Sequence, residues 1–560
     1  MAPSENTVNT VTGTGVVSGF AYAPAAWTRD RPVPPTTTKT IAEEDRPLEV
    51  ERFKAASAAV GQRLAERASD ASGVAAEVLA ATANLATDRG WVRAASKLIN
   101  AGAAAETATA AATEQFVEMF TKVGGLMAER VTDLRDVRDR VISELMGLPE
   151  PGVPKPAAPV ILLADDLAPA DTAGLDPSLI LGIVTRLGGP TSHTSIIARQ
   201  LGIPCIVAAA LLRDIPEGSP ILVDGTAGTI HIGVPVDEAE AKVQQDEARR
   251  QAIRTWTGPA QTKDGVLIDV LANVQDGPGA RKAAETSEAR GVGLFRTELC
   301  FLSAQTEPSV AEQARIYGEV FAAFPGQKVV VRTLDAGSDK PVPFAKHEQE
   351  ENPALGVRGI RLRQTNVGLV ERQLDAIAHA AEDQGIERPW VMAPMIATVD
   401  EAREFAALCE ERNLKPGIMV EVPAVALLAD EFLAEVEFFS IGTNDLTQYA
   451  MAADRMSSPL ATLTDPWQPA VLRLIKMAAD AGIRAHKPVG VCGEAAASPL
   501  LACVLVGLGV TSLSMASSAI SAVGVQLESV TLKQCQRAAK AVLACGTSDE
   551  TKAAARDLLG

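Results

Sequence analysis

The spacing of hydrophobic and polar positions changes along the chain and divides it into regions. Residues 11–24 (VTGTGVVSGFAYAP) predict a strand and a turn. From about Ile41 to Leu148, apolar residues recur at helical spacing in an alanine-rich background. The pattern predicts a bundle of helices at Leu48 to Ala68, Val74 to Ala86, Gly90 to Asn100, Ala105 to Phe120 and Met127 to Met146.

Short β/α units return after the proline-rich stretch LPEPGVPKPAAP at 148–159, which ends the bundle. Strands are predicted at 159–167, 179–187, 205–210 and 220–233, with a helix from Thr194 to Leu201 between the second and third. The bundle (41–148) is therefore predicted to be inserted into one α/β domain formed by residues 1–40 and 149–236. A charged helix within 237–263 is predicted to be a linker.

From Gly265 onward, a strand-then-helix rhythm repeats eight times. The predicted strands are 266–274, 291–299, 328–335, 391–396, 417–424, 438–446, 488–495 and 512–517. Eight βα units in about 295 residues indicate a (β/α)8 TIM barrel over residues 264–560. The sequence thus predicts an α/β multidomain protein.

Composition narrows the class of protein. The hydrophobic fraction of 47% and charged fraction of 22% are ordinary for a globular protein. No apolar run reaches the roughly 20 residues that a membrane helix needs, and the N-terminus lacks the plan of a secretory signal. The seven cysteines form no CxxC pair, which is typical of a reducing compartment. We therefore expect a cytoplasmic protein without membrane insertion.

The formal net charge of −18 argues against nucleic acid as a partner, because no basic stripe offsets it. It also means that an anionic substrate must be captured by local arginines. Those arginines should lie at the C-terminal ends of the barrel strands, where TIM barrels carry their active sites. Polar residues follow apolar runs at these ends: Arg296, Arg332, Glu421, Asn444, Asp445 and Cys492.

The residue types at the strand ends form a coherent set. Glu421 and Asp445 are hard oxygen ligands suited to Mg²⁺. A carboxylate pair that is buried against arginine would give the same sequence pattern. Arginines can grip phosphate and carboxylate in bidentate fashion. Arg358 and Arg455 lie beyond strand ends, where an arginine can equally be a surface or interface residue.

Two further residues are candidates for catalysis. Cys492 could donate a proton to an enolate at the barrel mouth, or it could be a small buried hydrophobe. His193 follows paired glycines at a helix start, where backbone N–H groups favour an anion, although it could also be a structural capping residue. A divalent metal, arginines and a proton donor suit a phosphorylated enol, and a histidine on a separate domain suits a relay.

Eight motifs resemble those of enzyme I of the bacterial sugar phosphotransferase system, in order and at family spacing over nearly the whole chain. They are GGPTSHTSIIARQLGIPCIV, GVGLFRTE, VVRTLDAGSDK, ENPALGVRGIRL, PMIATVDEAR, IMVEVPA, FFSIGTNDLTQYAMAADR and GVCGEAA. The resemblance implies a swivelling phosphohistidine domain with an inserted HPr-binding bundle, a linker helix and a phosphoenolpyruvate-binding barrel that dimerises.

The resemblance also implies the reaction and the residue roles. Phosphoenolpyruvate phosphorylates His193, pyruvate leaves, and the phosphoryl group passes to a histidine of the carrier HPr, the first step of sugar transport. The implied substrate-binding residues are Arg296, Arg332, Arg358, Asn444, Asp445 and Arg455. Glu421 and Asp445 would bind Mg²⁺, and Cys492 would protonate the enolpyruvate.

The chain departs from the family pattern at two positions near the histidine. Pro190 stands where many relatives have arginine, which removes one cation, and Ala168 stands where relatives often carry threonine. Both changes bear on how His193 is oriented.

Two alternatives remain. Pyruvate phosphate dikinase and phosphoenolpyruvate synthase share the barrel and a similar histidine loop, but they need a nucleotide-binding domain ahead of it, and only about 190 residues precede His193. The other alternative is a non-catalytic regulator that binds HPr. Such a binding module would have no use for Arg332, Glu421, Asp445 and Cys492.

Overall fold

The computed structural model describes residues 9–29, 31–33, 40–70, 74–123, 130–154, 156–167, 171, 175–190, 192–302, 304–337, 342–345 and 350–560. The chain divides into two compact units, residues 1–250 and 251–560. In the described part of the chain, no helix combines the length and the apolar character that crossing a bilayer requires.

The first unit contains an eight-stranded mixed sheet in the order β1-β8-β7-β3-β4-β5-β6-β2. Strands β3 to β6 pair in parallel, and the other pairs are antiparallel. The strands are β1 (Asn9–Thr12), β2 (Thr14–Val17), β3 (Phe20–Trp27), β4 (Val160–Ala164), β5 (Ile180–Thr185), β6 (Cys205–Val207), β7 (Pro220–Asp224) and β8 (Thr229–Ile232).

The single strand predicted at 220–233 is wrong, because these residues form an antiparallel hairpin of β7 and β8. Asp224 ends β7, and its Oδ1 accepts hydrogen bonds from the N–H groups of Thr226 and Ala227, both at 2.9 Å. Gly228 has a φ of +70°, a left-handed conformation that costs glycine little. This turn chemistry reverses the chain within four residues.

Among the described residues of the region predicted as a bundle, the α-helices are α1 (Arg46–Asp70), α2 (Val74–Ala86), α3 (Arg89–Asn100), α4 (Ala105–Val123) and α5 (Val131–Met146). The predicted start of the last helix, Met127, lies outside the described residues. The helices have their own core around Phe53, Trp91 and Val137, separate from the cores of the sheet. In the chain, they stand between β3 and β4, which are neighbours in the sheet.

A buried arginine ties the bundle to the chain that follows it. Arg140 on α5 is 1% exposed and donates to Asp136 on its own helix at 2.7 Å. It also donates to Glu150, and to Asp171 at 2.7 Å. Gly152 has a φ of +103°, and a Cβ there would come within 2.2 Å of the Asp171 carboxylate. Only glycine therefore fits beside this ion pair.

The second unit is a closed barrel of eight parallel strands, as the sequence predicts. Seven of the eight strands end earlier than predicted, and β9 ends at Val274 as predicted. They are β9 (Asp269–Val274), β10 (Gly291–Arg296), β11 (Lys328–Arg332), β12 (Trp390–Ala393), β13 (Lys415–Val420), β14 (Phe438–Ile441), β15 (Val489–Val491) and β16 (Ser512–Met515).

Helices surround the barrel, and side chains fill its interior. The interior cluster contains Leu294, Val330, Met392, Met419 and Phe438, so the barrel is a packed core and not a pore. The α-helices of this unit are α8 (Gly277–Thr286), α9 (Val310–Ala323), α10 (Leu369–Asp383), α11 (Val399–Glu410), α12 (Pro423–Leu427), α13 (Ala429–Glu435), α14 (Thr443–Met451), α15 (Pro469–Ala485), α16 (Pro499–Leu508), α17 (Ile520–Ser529), α18 (Leu532–Leu543) and α19 (Ser548–Leu559).

Two more helices complete the described part of the chain. The first, α6, covers His193–Leu201, where the sequence predicts a helix from Thr194. The second, α7, covers Val236–Thr255, where the linker helix is predicted, and the boundary between the two units falls within it. Ala239 is its buried residue, which agrees with its charged sequence.

Candidate active site

A cavity of about 650 Å³ opens at the C-terminal ends of the barrel strands. Six of the predicted site residues line it: Arg296, Arg332, Asn444, Asp445, Arg455 and Cys492. Arg296 and Arg332 are the last residues of β10 and β11, and Cys492 follows β15. A parallel barrel brings consecutive strand ends together, so the fold itself gathers these side chains. We call this space the barrel-mouth cavity.

Arg332 is held by carboxylates on either side of it. Its Nη2 donates to Glu298, and its Nη1 lies 3.1 Å from Asp335. The Arg332 side chain is 7% exposed, and its Nε is buried without a hydrogen-bond partner. A buried unpaired donor is costly, so this N–H is suited to an anionic ligand.

Further ion pairs, in which arginines and aspartates alternate, connect Asp335 to Arg455. Arg358 is 1% exposed, and its Nη2 donates to both oxygens of Asp335, at 2.9 and 3.0 Å. Its Nη1 lies 3.5 Å from Asp445, and Asp445 lies 3.7 Å from Arg455. Arg358 does not line the barrel-mouth cavity. In this structure, it holds two carboxylates in place and does not face the space where a substrate would lie.

Glu421 also lies behind the cavity wall, fully buried after β13. Its Oε1 accepts a hydrogen bond from the Met395 N–H at 2.6 Å, and its Oε2 has no hydrogen-bond partner. Burial raises the pKa of Glu421 well above its usual range, and the nearby carboxylates of Asp335 and Asp445 raise it further.

The carboxylates of Glu421 and Asp445 fit a divalent cation. Both carry a buried oxygen that accepts no hydrogen bond, Oε2 of Glu421 and Oδ1 of Asp445. A cation would offset the desolvation and repulsion that raise the pKa of Glu421. The described residues contain no group of three or more His, Cys, Asp or Glu that could hold a metal. Two carboxylates therefore suit a Mg²⁺ ion that keeps water and substrate oxygens as further ligands.

Cys492 is the thiol of the barrel-mouth cavity and is 3% exposed. Burial raises its pKa, so the thiol keeps its proton near neutral pH. Its Sγ donates a weak hydrogen bond to the Ile441 carbonyl at 3.6 Å. Beside it, the Asn444 Oδ1 accepts the N–H of Glu494 at 3.2 Å, which joins the first turn of α14 to the segment after β15.

Comparison with known proteins places the whole chain. Residues 249–532 match the family described as PEP-utilising enzyme, PEP-binding domain. Residues 156–228 match its mobile domain, and residues 12–130 match its N-terminal domain. A phosphoenolpyruvate-protein phosphotransferase from Streptomyces coelicolor is 45% identical over 554 residues, which cover 98% of this chain and 99% of that protein. The chain belongs to the phosphoenolpyruvate-protein phosphotransferase family.

Other relatives match over smaller shares of the chain. The phosphoenolpyruvate-protein phosphotransferase of Geobacillus stearothermophilus is 38% identical over 78% of both chains. A solved NMR structure of an Enzyme I protein is 26% identical, with a TM-score of 0.39, and covers 43% of this chain and 99% of that one.

The histidine loop of this phosphotransferase lies in the first unit. His193 is the first residue of its helix, which is capped by Ser192. The Ser192 Oγ accepts the Ser195 N–H at 3.3 Å, and the Ser195 hydroxyl donates to the Gly189 carbonyl at 2.8 Å. These bonds join Ser195 of the helix to Ser192 and to Gly189. Pro190 is exposed in a turn, and Ala168 lies outside the described residues.

The sequence reasoning missed Glu298 and Asp335, the carboxylates that orient Arg332. Both stand inside motifs that resemble those of the phosphotransferase family, GVGLFRTE and VVRTLDAGSDK. The available signal was a carboxylate two or three residues after a strand-end arginine. Apolar residues of the cavity wall, Leu299, Leu302 and Met456, gave no comparable signal.

Proposed function

We propose that this chain transfers the phosphoryl group of phosphoenolpyruvate to His193 and then to a histidine of the carrier HPr, releasing pyruvate. The observation that carries this proposal is the barrel-mouth cavity, where arginines, a carboxylate and a protonated thiol face one space. The substrate brings a phosphate and a carboxylate, which arginines can bind, and an enol carbon, which a thiol can protonate. The carboxylate of the cavity suits a cation that would accompany this anionic substrate.

The arginines would bind the anionic groups of the substrate. Arg296 and Arg332 end neighbouring strands, so their guanidinium groups are suited to grip one phosphate together. Arg455, which pairs with Asp445, and Asn444, the residue before Asp445, would bind the substrate carboxylate. Arg358 acts through Asp335 and Asp445 and is proposed as a positioning residue.

Glu421 and Asp445 would hold Mg²⁺, which supplies electrostatic stabilisation of the developing enolate when bound. Asp445 lines the cavity, whereas Glu421 supports the site from behind. The ion pairs of Asp445 with Arg358 and Arg455 fix the direction of its carboxylate. Preorganised ligands of this kind lose little free energy to reorganisation when charge develops.

Cys492 would complete pyruvate formation. A nitrogen of the His193 imidazole attacks phosphorus, the bond between phosphorus and the enol oxygen breaks, and its electron pair stays on the enolate. The enolate carbon then takes the proton from the Cys492 Sγ–H, which yields the methyl group of pyruvate. The raised pKa of Cys492 supports this role, because a thiolate has no proton to give.

The first unit would carry the phosphoryl group to HPr. We assign residues 1–40 and 149–236 to the phosphohistidine domain, 41–148 to an HPr-docking subdomain and 237–263 to a linker. The barrel, 264–560, would form the homodimer. The protein would act in the cytoplasm as the first enzyme of sugar phosphotransferase transport. The family membership of the chain supports these assignments.

The test is an assay with phosphoenolpyruvate, Mg²⁺ and purified HPr. We expect pyruvate and phospho-HPr to form together with the wild-type protein. The His193→Ala variant should form neither, whereas a control with the exposed His379→Ala should match the wild type. Phospho-HPr formation by the His193→Ala variant would refute the relay.

A further inference from the structure

Behind the barrel-mouth cavity lies a buried polar network that the proposed reaction does not use. At its centre is Gln373 on α10, which is 1% exposed and does not line the cavity. Its Nε2 donates to the Thr297 hydroxyl at 3.0 Å and to the Tyr317 hydroxyl at 3.1 Å. Its Oε1 accepts the backbone N–H of Leu334 at 3.0 Å. One amide group therefore contacts three segments of the chain.

Two of these contacts fix the loops that follow neighbouring strands. Thr297 comes directly after Arg296, and its hydroxyl donates to the backbone carbonyl of Arg332 at 2.8 Å. Because Gln373 donates to the Thr297 oxygen, the hydroxyl proton is left to point at that carbonyl. Leu334, two residues after Arg332, is bonded to Gln373 directly. The backbone on both sides of Thr333 is thus held from α10.

A second branch of the network runs through Tyr317 and joins two helices. The Tyr317 hydroxyl on α9 donates to Gln313 at 3.0 Å, and both residues are buried. This branch joins α9 to α10 and touches no strand end. It therefore serves packing, and it provides a comparison within the same network.

We propose that Gln373 is a positioning residue that sets the distance between Arg296 and Arg332, and with it the grip of the site on the substrate phosphate. The inference rests on the proposed function of the two arginines. A buried, fully bonded amide gives a fixed geometry because each of its alternatives leaves a polar group unpaired. Loss of the amide would let the two strand ends move independently, and a bidentate grip tolerates little displacement.

The test compares four variants. Gln373→Met removes the amide at similar volume, and Thr297→Val removes only the hydroxyl between the strand ends. Tyr317→Phe removes the packing branch and with it one acceptor of the Gln373 Nε2, but it keeps the bonds of Gln373 to Thr297 and Leu334. Gln526→Met removes another buried amide, on α17, whose Nε2 donates to the Leu559 carbonyl at 3.0 Å. Thermal unfolding of each variant checks that the chain folds. If Gln373→Met does not fold, Thr297→Val still tests the proposal.

We expect Gln373→Met and Thr297→Val to raise the KM for phosphoenolpyruvate about 10-fold while kcat changes less than about 3-fold. The lost interaction with the phosphate is one that stabilises the bound substrate and the transition state equally. Tyr317→Phe and Gln526→Met should lower the melting temperature and leave KM within about 2-fold of the wild type. A wild-type KM in both Gln373→Met and Thr297→Val would overturn the proposal. An equal KM rise in Gln526→Met would overturn it too, because the effect would be general loosening.

A second readout separates this proposal from the proposed function. Calorimetric binding of phosphoenolpyruvate, measured in the His193→Ala background, involves no phosphoryl transfer. If the wild type forms no phosphoprotein, the proposed function fails. Weaker binding by Gln373→Met relative to Gln526→Met still supports the positioning role in that case, and equal binding by the two variants refutes it.

Discussion

Burial sets the protonation states of Cys492 in the barrel-mouth cavity and of Glu421 behind its wall before a substrate arrives. Cys492 keeps its proton because an anionic sulfur would be poorly solvated, and the Glu421 carboxylate favours its neutral form for the same reason. The first group is suited to give a proton, whereas the second is suited to accept a cation in its place. The same physical effect thus prepares two residues for different roles.

Substitution of Cys492 tests whether the thiol serves proton donation or substrate binding. In Cys492→Ala, we expect pyruvate formation to slow by about 100-fold or more, the usual contribution of a general acid. Binding of phosphoenolpyruvate should change little, because the thiol makes no ion pair with the substrate. Rapid-quench kinetics and equilibrium binding measure the two effects. Equal losses in both would mean that the thiol serves only the packing of the site.

At the residue scale, the barrel pattern predicts which side chains stand at strand ends. Arg296, Arg332, Asp445 and Cys492 line the cavity at those ends. Arg358, for which the resemblance implies substrate binding, is buried against Asp335, and its role stays a prediction. Sequence position shows that an arginine lies near the mouth, but packing decides which way its side chain turns. The roles of all these residues remain predictions until substrate is bound.

At the scale of single elements, α5 carries three buried carboxylates with different surroundings. Asp136 is bonded to Arg140 at 2.7 Å, whereas Asp133 has a buried Oδ1 with no hydrogen-bond partner. Burial raises the pKa of Asp133 and also that of Asp139. A raised pKa means that the folded state binds a proton more tightly than the unfolded state. This stabilisation is present below pH 4 and is lost as the pH rises through the folded pKa.

Matched asparagine substitutions on α5 test this difference. Asp133→Asn removes a poorly solvated charge, so it should raise the free energy of unfolding near pH 7 by about 1 kcal/mol, with a smaller gain near pH 4. Asp136→Asn should lower the free energy of unfolding near pH 7, because it removes a partner of a buried arginine. Denaturant unfolding at the two pH values measures both. A loss of stability at pH 7 in Asp133→Asn would contradict the account.

The bounds of helices and strands show how far the hydrophobic periodicity of the sequence predicts secondary structure. The bounds that the sequence predicts for α2 and α3 lie within one residue of those in the structure, whereas the end predicted for α4 falls three residues short. The hairpin at 220–233 was predicted as one strand, since both arms are apolar and the turn DGTAG is short. Its reversal depends on Asp224 and Gly228, a local turn signal within a continuous apolar pattern.

At the scale of the whole molecule, each unit has its own hydrophobic cores. Predicted site residues fall in both: His193 in the first unit and the barrel-mouth cavity in the second. Length and repeat counting could predict this division, because eight βα units account for the second half of the chain.

Ligand binding should therefore stabilise the two units unequally. Phosphoenolpyruvate with Mg²⁺, at about 100 times its Kd, should add about 2.7 kcal/mol to the unfolding free energy of the barrel. The transition of the first unit should stay where it is, and His193→Ala should be used so that no phosphoryl group is transferred. Scanning calorimetry measures both transitions. A shift confined to the first unit would place the substrate site outside the barrel.

The most direct measurement is the location of the phosphoryl group after incubation with phosphoenolpyruvate and Mg²⁺. Mass spectrometry at neutral pH should find one acid-labile phosphoryl group per chain, on the peptide that contains His193, with one pyruvate released for each. A phosphoryl group on any other residue, or pyruvate released without a phosphorylated chain, would contradict the account.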